Sequence, residues 1–199
     1  MPFRIDGISG PAAAKITQAY NMLPPLVDAC VQAMTPGSVD WPLYCRWFDA
    51  AGASRQANVV HVRTVITRVR DWLQTKTITF ANVSGMTMDQ RIPGLCAYVW
   101  SGTKHMLAGG GLGAMRFEGA EHVGSGVRVL LVPRTTADTR ELAATMFHEL
   151  CHKVGLRVVD NNPSPYDPLT CLNKAQHAPE LAIHNAENYT LYFKELNGL

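Results

Sequence analysis

Residues 138–155 read Asp138-Thr139-Arg140-Glu141-Leu142-Ala143-Ala144-Thr145-Met146-Phe147-His148-Glu149-Leu150-Cys151-His152-Lys153-Val154-Gly155, and the rest of the chain is read outward from them. Asp138 is an acidic N-cap with Glu141 three residues on, the reciprocal arrangement that satisfies the free N–H groups at a helix start. Leu142, Thr145, Met146, Glu149 and Leu150 keep a helical period, and Gly155 is a natural C-terminal stop. Inside this helix His148-Glu149-Leu150-Cys151-His152 has the spacing H-E-x-x-H. Residues four apart stand one above the other, so both imidazoles leave one face and can converge on a single tetrahedral ion. Glu149, beside the first imidazole, can reach a metal-held water without ligating. Cys151 leaves the helix on a different side and reads as a small buried residue.

A catalytic zinc ion takes three protein ligands and keeps one position open. The longer pattern H-E-x-x-H-x-x-G-x-x-H is matched as far as Gly155, but its last position holds Val158, which cannot bind metal. The oxygen donors downstream are Asp160, Asp167, Glu180 and Glu187. Asp160 follows soon enough after the helix for the chain to fold back beneath the ion, which makes it the first choice and Asp167 the second. Glu180 or Glu187, from the last helical region, would give a thermolysin-like site.

Upstream, Gly126-Val127-Arg128-Val129-Leu130-Leu131-Val132 is the strongest strand in the sequence, stopped by Pro133, and it leads straight into the motif helix. Ile78-Thr79-Phe80 and Leu95-Cys96-Ala97-Tyr98-Val99-Trp100 read as further strands of a small twisted mixed sheet. Before the sheet the period is helical. Over 11–34, Ala13, Ile16, Tyr20, Leu23, Leu26, Val27 and Cys30 recur every three or four residues, with Pro24 and Pro25 predicting a kink or two short helices. From Ser54 to Thr75, Val59, Val62, Val65, Ile66, Val69 and Leu73 repeat the pattern, and Arg55, Arg63, Arg68 and Arg70 occupy a solvated opposite face. Gly109-Gly110-Gly111-Leu112-Gly113 lacks the Gly-Lys-Ser/Thr of a phosphate loop and reads as a hairpin or loop. The expectation is one α+β domain over 1–199, helical to roughly residue 75 and catalytic from roughly 76 onward, with N-terminal helices, the sheet, the motif helix and C-terminal helices. An extended peptide would lie between a Gly126–Val132 edge strand and the His148–His152 helix.

Composition agrees with a globular chain and narrows its partners. Of 199 residues, 47% are hydrophobic and 17% charged, too apolar for disorder. Eighteen Lys and Arg against sixteen Asp and Glu give no basic face for nucleic acid. No apolar run is long enough to span a bilayer. The N-terminal segment is interrupted by Asp6, Gly7, Gly10, Pro11 and Lys15, so it lacks the core of a secretory signal. Five cysteines without a C-x-x-C pair argue against a thiolate cage and leave the redox compartment open. His61, His105, His122, His177 and His184 have no ligand spacing.

In order along the chain, Arg46-Trp47-Phe48, an Arg-bearing helix, Thr77-Ile78-Thr79-Phe80, Ala97-Tyr98-Val99, His148 to His152, Asn185-Ala186-Glu187-Asn188-Tyr189 and the aromatic pair Tyr192-Phe193 resemble the successive landmarks of the aspzincin metallopeptidases, the deuterolysin and peptidyl-Lys endopeptidase family. The resemblance implies a zincin-like fold and a zinc-dependent endopeptidase acting on protein or peptide substrates. Zn²⁺ would be held by His148, His152 and Asp160, Glu149 would take the proton of a metal-activated water, and Tyr166 would polarise the substrate carbonyl. The family's Gly-Thr-x-Asp-x-x-Tyr-Gly loop is replaced here by Val158-Val159-Asp160-Asn161-Asn162-Pro163-Ser164-Pro165-Tyr166-Asp167, so matching Asp160 places Tyr166 six residues on, after an insertion. Glu187 matches the family's signature acid, which implies a preference for Lys or Arg after the scissile bond. The competing expectation is a secreted effector or toxin-like binding domain on a zincin scaffold, exported without a cleavable signal in this chain and acting through a protein partner. A peptidase effector of that kind would be restrained by an inhibitory partner protein.

Overall fold

A computed structural model of the chain describes residues 3–49, 56–82, 97–99, 127–131, 138–154, 157–160 and 167–199. The elements run β1 (Phe3–Asp6), α1 (Gly10–Ala33), α2 (Trp41–Phe48), α3 (Gln56–Thr75), β2 (Ile78–Asn82), β3 (Ala97–Val99), β4 (Val127–Leu131), α4 (Thr139–Val154), α5 (Pro168–His177), the single turn α6 (Pro179–Ala182) and α7 (Ala186–Leu196). The strands form one mixed sheet in the order β1-β2-β4-β3. β1, β2 and β4 are parallel, with Phe3 against Ile78 and Ile78 against Val127, and β3 lies antiparallel on β4. The Gly109–Gly113 loop, Gly155, Tyr166, His105, His122 and Cys96 lie outside the described residues.

α4 sits at the centre. Every residue from Leu142 to Cys151 is buried, because α1, α3, α7 and β3 close around this helix. A helix enclosed on all sides needs no polar face. Its start is fixed by the Asp138 carboxylate, which accepts the Arg140 N–H at 2.8 Å, a cap that contributes about 1 kcal/mol. Glu141 turns outward to the Lys194 ammonium of α7 at 2.6 Å, so the acid ties two helices together. In α3, Val59, Val62, Val65, Ile66, Val69 and Leu73 are all buried, as their spacing predicts. Two of the arginines expected on a solvated face also tie helices together: Arg63 donates to the Met34 carbonyl at the end of α1, and Arg68, exposed as expected, to the Val154 carbonyl at the end of α4.

Three expectations are corrected. The chain opens on a strand, not a helix: Phe3 and Ile5 face inward and Arg4 and Asp6 outward, a four-residue alternation too short to read as a period. Phe3 is anchored by the Tyr20 ring, with centroids 4.5 Å apart. Second, α1 runs unbroken through Pro24 and Pro25. An internal proline costs about 3 kcal/mol. Pro24 and Pro25 leave the Tyr20 and Asn21 carbonyls without their helical N–H partners, the first in a buried residue and the second in an exposed one. Beyond the prolines Val27, Cys30, Ala33 and Met34 are fully or nearly buried, a gain of about 1.5–3 kcal/mol for each large side chain that offsets the loss. Third, β4 is an interior strand between β2 and β3, so among the described strands the sheet edge beside α4 is β3 and not the 126–132 segment.

Candidate metal centre

The one-turn spacing of α4 brings His148 and His152 together, with Nε2 atoms 3.0 Å apart and rings nearly perpendicular at 83°. After α4 the chain turns at Arg157, a non-glycine residue at φ 67°. The strap Val158–Val159–Asp160 then doubles back under the helix. It is held against the turn before α7: Val159 N–H donates to the His184 carbonyl at 2.9 Å, and Ala186 N–H donates to the Val159 carbonyl at 3.0 Å. This pairing delivers Asp160 Oδ1 to 3.2 Å from both imidazole Nε2 atoms. Among the described residues, His148, His152 and Asp160 are the one group of three ligand-type side chains whose donor atoms converge.

The other ring nitrogens decide what converges. Thr190 Oγ1 donates its proton to the Ala186 carbonyl at 3.0 Å, leaving it as an acceptor for His148 Nδ1 at 2.8 Å. His152 Nδ1 faces the Val158 carbonyl at 3.1 Å, which can only accept. Both Nδ1 atoms therefore carry hydrogens and both Nε2 atoms present lone pairs. Two lone pairs and a carboxylate oxygen within 3.0–3.2 Å of one another repel unless a cation lies among them. Tetrahedral zinc with bonds of about 2.0–2.1 Å sets its ligand atoms about 3.3–3.4 Å apart, close to the spacing found. Two imidazoles and one carboxylate suit zinc and leave a fourth position open.

Without a metal, a proton takes the cation's place. Burial lowers the His152 imidazole, but the hydrogen bond and charge of Asp160, with help from Glu149 and the Val158 carbonyl, outweigh it and push it up to about 9. Partial desolvation raises the Asp160 carboxyl, and the two imidazoles overcome that and hold it well below the usual carboxylate range. Glu149 is buried, and its charge is felt by His152 and by the Cys151 thiol. Cys151 is fully buried in the core, and burial drives its thiol well above the ordinary value, which removes it from nucleophilic and ligand roles.

The remaining oxygen donors go elsewhere. Asp167 caps α5, accepting from the Leu169 N–H at 3.1 Å and from the Thr170 hydroxyl. Its sequence signal was present: Asp167 precedes Pro168 at the first helical position, with Thr170 two residues beyond. Glu180 is exposed in α6. Glu187 is buried with Oε1 3.9 Å from His148 Nδ1, on the ring's far side from the Nε2 cluster, and so cannot share an ion with His152. Its charge also reaches Lys174 on α5. The Asn185–Tyr189 stretch is otherwise structural. Asn185 donates to Asn188 at 2.6 Å, Asn188 to the Trp47 and Cys171 carbonyls, and Tyr189 to the Ile183 carbonyl. Arg46 and Trp47 both donate to Glu195, and Phe48 packs on Tyr189 and Tyr192. Tyr189, Tyr192 and Phe193 are fully buried core anchors, as their helical spacing predicts. Thr190 was not singled out by sequence reasoning; only its place one turn after Ala186 hints at a role.

No protein-family model matches the sequence, and no curated protein matches it either. Among solved structures, a zinc peptidase from Grifola frondosa is similar in fold, with a TM-score of 0.64 and 17% sequence identity over 94% of this chain and 97% of that one. A likeness at that identity establishes the α+β zincin-like architecture. No helix among the described residues is long and apolar enough to cross a membrane.

Proposed function

We propose that the chain is a zinc-dependent endopeptidase whose metal is held by His148, His152 and Asp160. The observation that carries this reading is the convergence of two imidazole lone pairs and a carboxylate oxygen, with the outward ring nitrogens both engaged as donors. The fold shared with a zinc peptidase supports it. When bound, zinc supplies an activated water and polarises a carbonyl. Glu149 follows the first ligand on α4, which suits it to accept a proton from the attacking water and return it to the leaving amine. Asp160 fixes the strap beneath the imidazoles, and its negative charge with two neutral ligands leaves the centre cationic. Tyr166 is the proposed carbonyl-polarising hydroxyl. Among the described strands β3 is the edge beside α4, and an extended peptide is proposed to add there. Glu187, a buried carboxylate, is the proposed acid behind a preference for Lys or Arg after the scissile bond.

The test is cleavage of a denatured protein mixture with wild type and Glu149→Gln, with and without chelator. The expected outcome is chelator-sensitive cleavage enriched before Lys and Arg, and a Gln variant that keeps zinc but loses at least about a hundredfold in turnover. Near-normal proteolysis by the Gln variant would remove Glu149 from the mechanism, and cuts without basic enrichment would remove the Glu187 pocket. Absence of metal and cleavage, with tight capture of one protein, would favour the binding-domain alternative.

A further inference from the structure

We propose that Thr190 is a positioning residue that sets the tautomer of His148 and thereby the affinity of the centre for its metal; this rests on the zinc reading above. Thr190 lies in the second turn of α7, 1% exposed. A helical threonine commonly donates to the carbonyl four residues back, and Thr190 does so to Ala186 at 3.0 Å. With its hydrogen engaged, the hydroxyl has only lone pairs for the His148 Nδ1 at 2.8 Å. In that arrangement the imidazole carries its hydrogen on Nδ1 and presents a bare Nε2 to the cluster. The opposite tautomer would require the Thr190 hydroxyl to leave the Ala186 carbonyl and turn its hydrogen to Nδ1, and would project an N–H among the donor atoms where the ion must sit.

Glu187 is the other candidate partner, but its oxygen stands 3.9 Å from the same nitrogen, beyond hydrogen-bond range. The neutral hydroxyl, not the carboxylate, makes the contact. Ala186 is shared further: its carbonyl takes the Thr190 hydrogen, and its N–H holds the Val159 carbonyl, next to Asp160. One turn of α7 thus orients a ligand from α4 and a ligand from the strap.

Zinc affinity, measured by chelator competition on wild type, Thr190→Val and Thr190→Ser, together with ¹⁵N-histidine NMR of the metal-free and zinc-loaded wild type, tests the assignment. The expected results are His148 protonated at Nδ1, an affinity about 10–100-fold weaker in the Val variant, the range for loss of a partner behind a ligand, and recovery in the Ser variant. A Val variant within twofold of wild type overturns the proposal, as does a wild-type His148 with its hydrogen on Nε2. Should the Val variant fail to fold, the wild-type tautomer decides. A wild type that binds no zinc overturns this proposal and the function above together, whereas zinc-binding wild type with an unaffected Val variant overturns this one alone.

Discussion

Among the described residues, two imidazole pairs have nearly the same shape. His148 and His152 have ring centroids 4.7 Å apart at 83°, and His61 and His184 have them 4.6 Å apart at 74°. Their surroundings are opposite. The first pair has a carboxylate at 3.2 Å from both rings and a fixed acceptor behind each Nδ1. In the second, His61 Nε2 and His184 Nδ1 are buried without a hydrogen-bond partner among the described residues, and the nearby charge is the Arg68 cation. His152 is accordingly pushed up to about 9, while burial, then the charges of His184 and Arg68, pull His61 below its ordinary value. What sets the candidate centre apart is therefore not the proximity of two rings but a third, anionic donor beside them.

The largest effect separates the pairs directly. His152→Ala should weaken zinc binding by more than the roughly hundredfold lost with an outer partner, while His61→Ala should leave it within about twofold. Isothermal titration of the two variants checks this, and equal losses would erase the distinction. A smaller effect comes from Asp160→Asn. In the metal-free protein it should bring the His152 imidazole back down toward its unfolded value of about 6.5, followed by the ring C–H resonances through a pH titration. An unmoved midpoint would mean that Asp160 does not govern His152.

The smallest effects are two pH slopes of opposite sign in the metal-free protein. His152 has a folded pKa above its unfolded one, so its contribution is complete below about pH 6.5 and is lost as pH rises through about 9. His61 has a folded pKa below its unfolded one, so the unfolded chain binds the extra proton and stability falls on acidification below about pH 6.5. His152→Gln should flatten the alkaline limb of the thermal midpoint, by a few degrees on the scale of about 2–4 °C per kcal/mol, and His61→Gln should flatten the acid limb. Variants that leave both limbs unchanged would contradict the assignment.

What the sequence made legible was local. The motif helix and the helix at 56–75 bury residues whose period is visible within one segment, and the strands at 78–82 and 127–131 form where β-branched and aliphatic residues cluster. His148 and His152 were legible because helical geometry alone brings residues four apart together, and Asp160 because it follows soon after the helix. Contacts between distant segments were not. β1 exists through its parallel register with β2, and β4 is interior through β3, which four- or five-residue runs do not encode. The continuity of α1 depends on a core that rewards it, not on Pro24 and Pro25. Thr190 acquires meaning only when α7 packs against α4, and Asp167 could have been set aside as a cap from its own neighbours.

Zinc stoichiometry by equilibrium dialysis and elemental analysis tests the central claim most directly. The account predicts about one zinc ion per chain for wild type and for His61→Ala/His184→Ala, and none for His148→Ala/His152→Ala. A wild type that takes up no zinc, or a His148→Ala/His152→Ala variant that keeps it, would contradict the account.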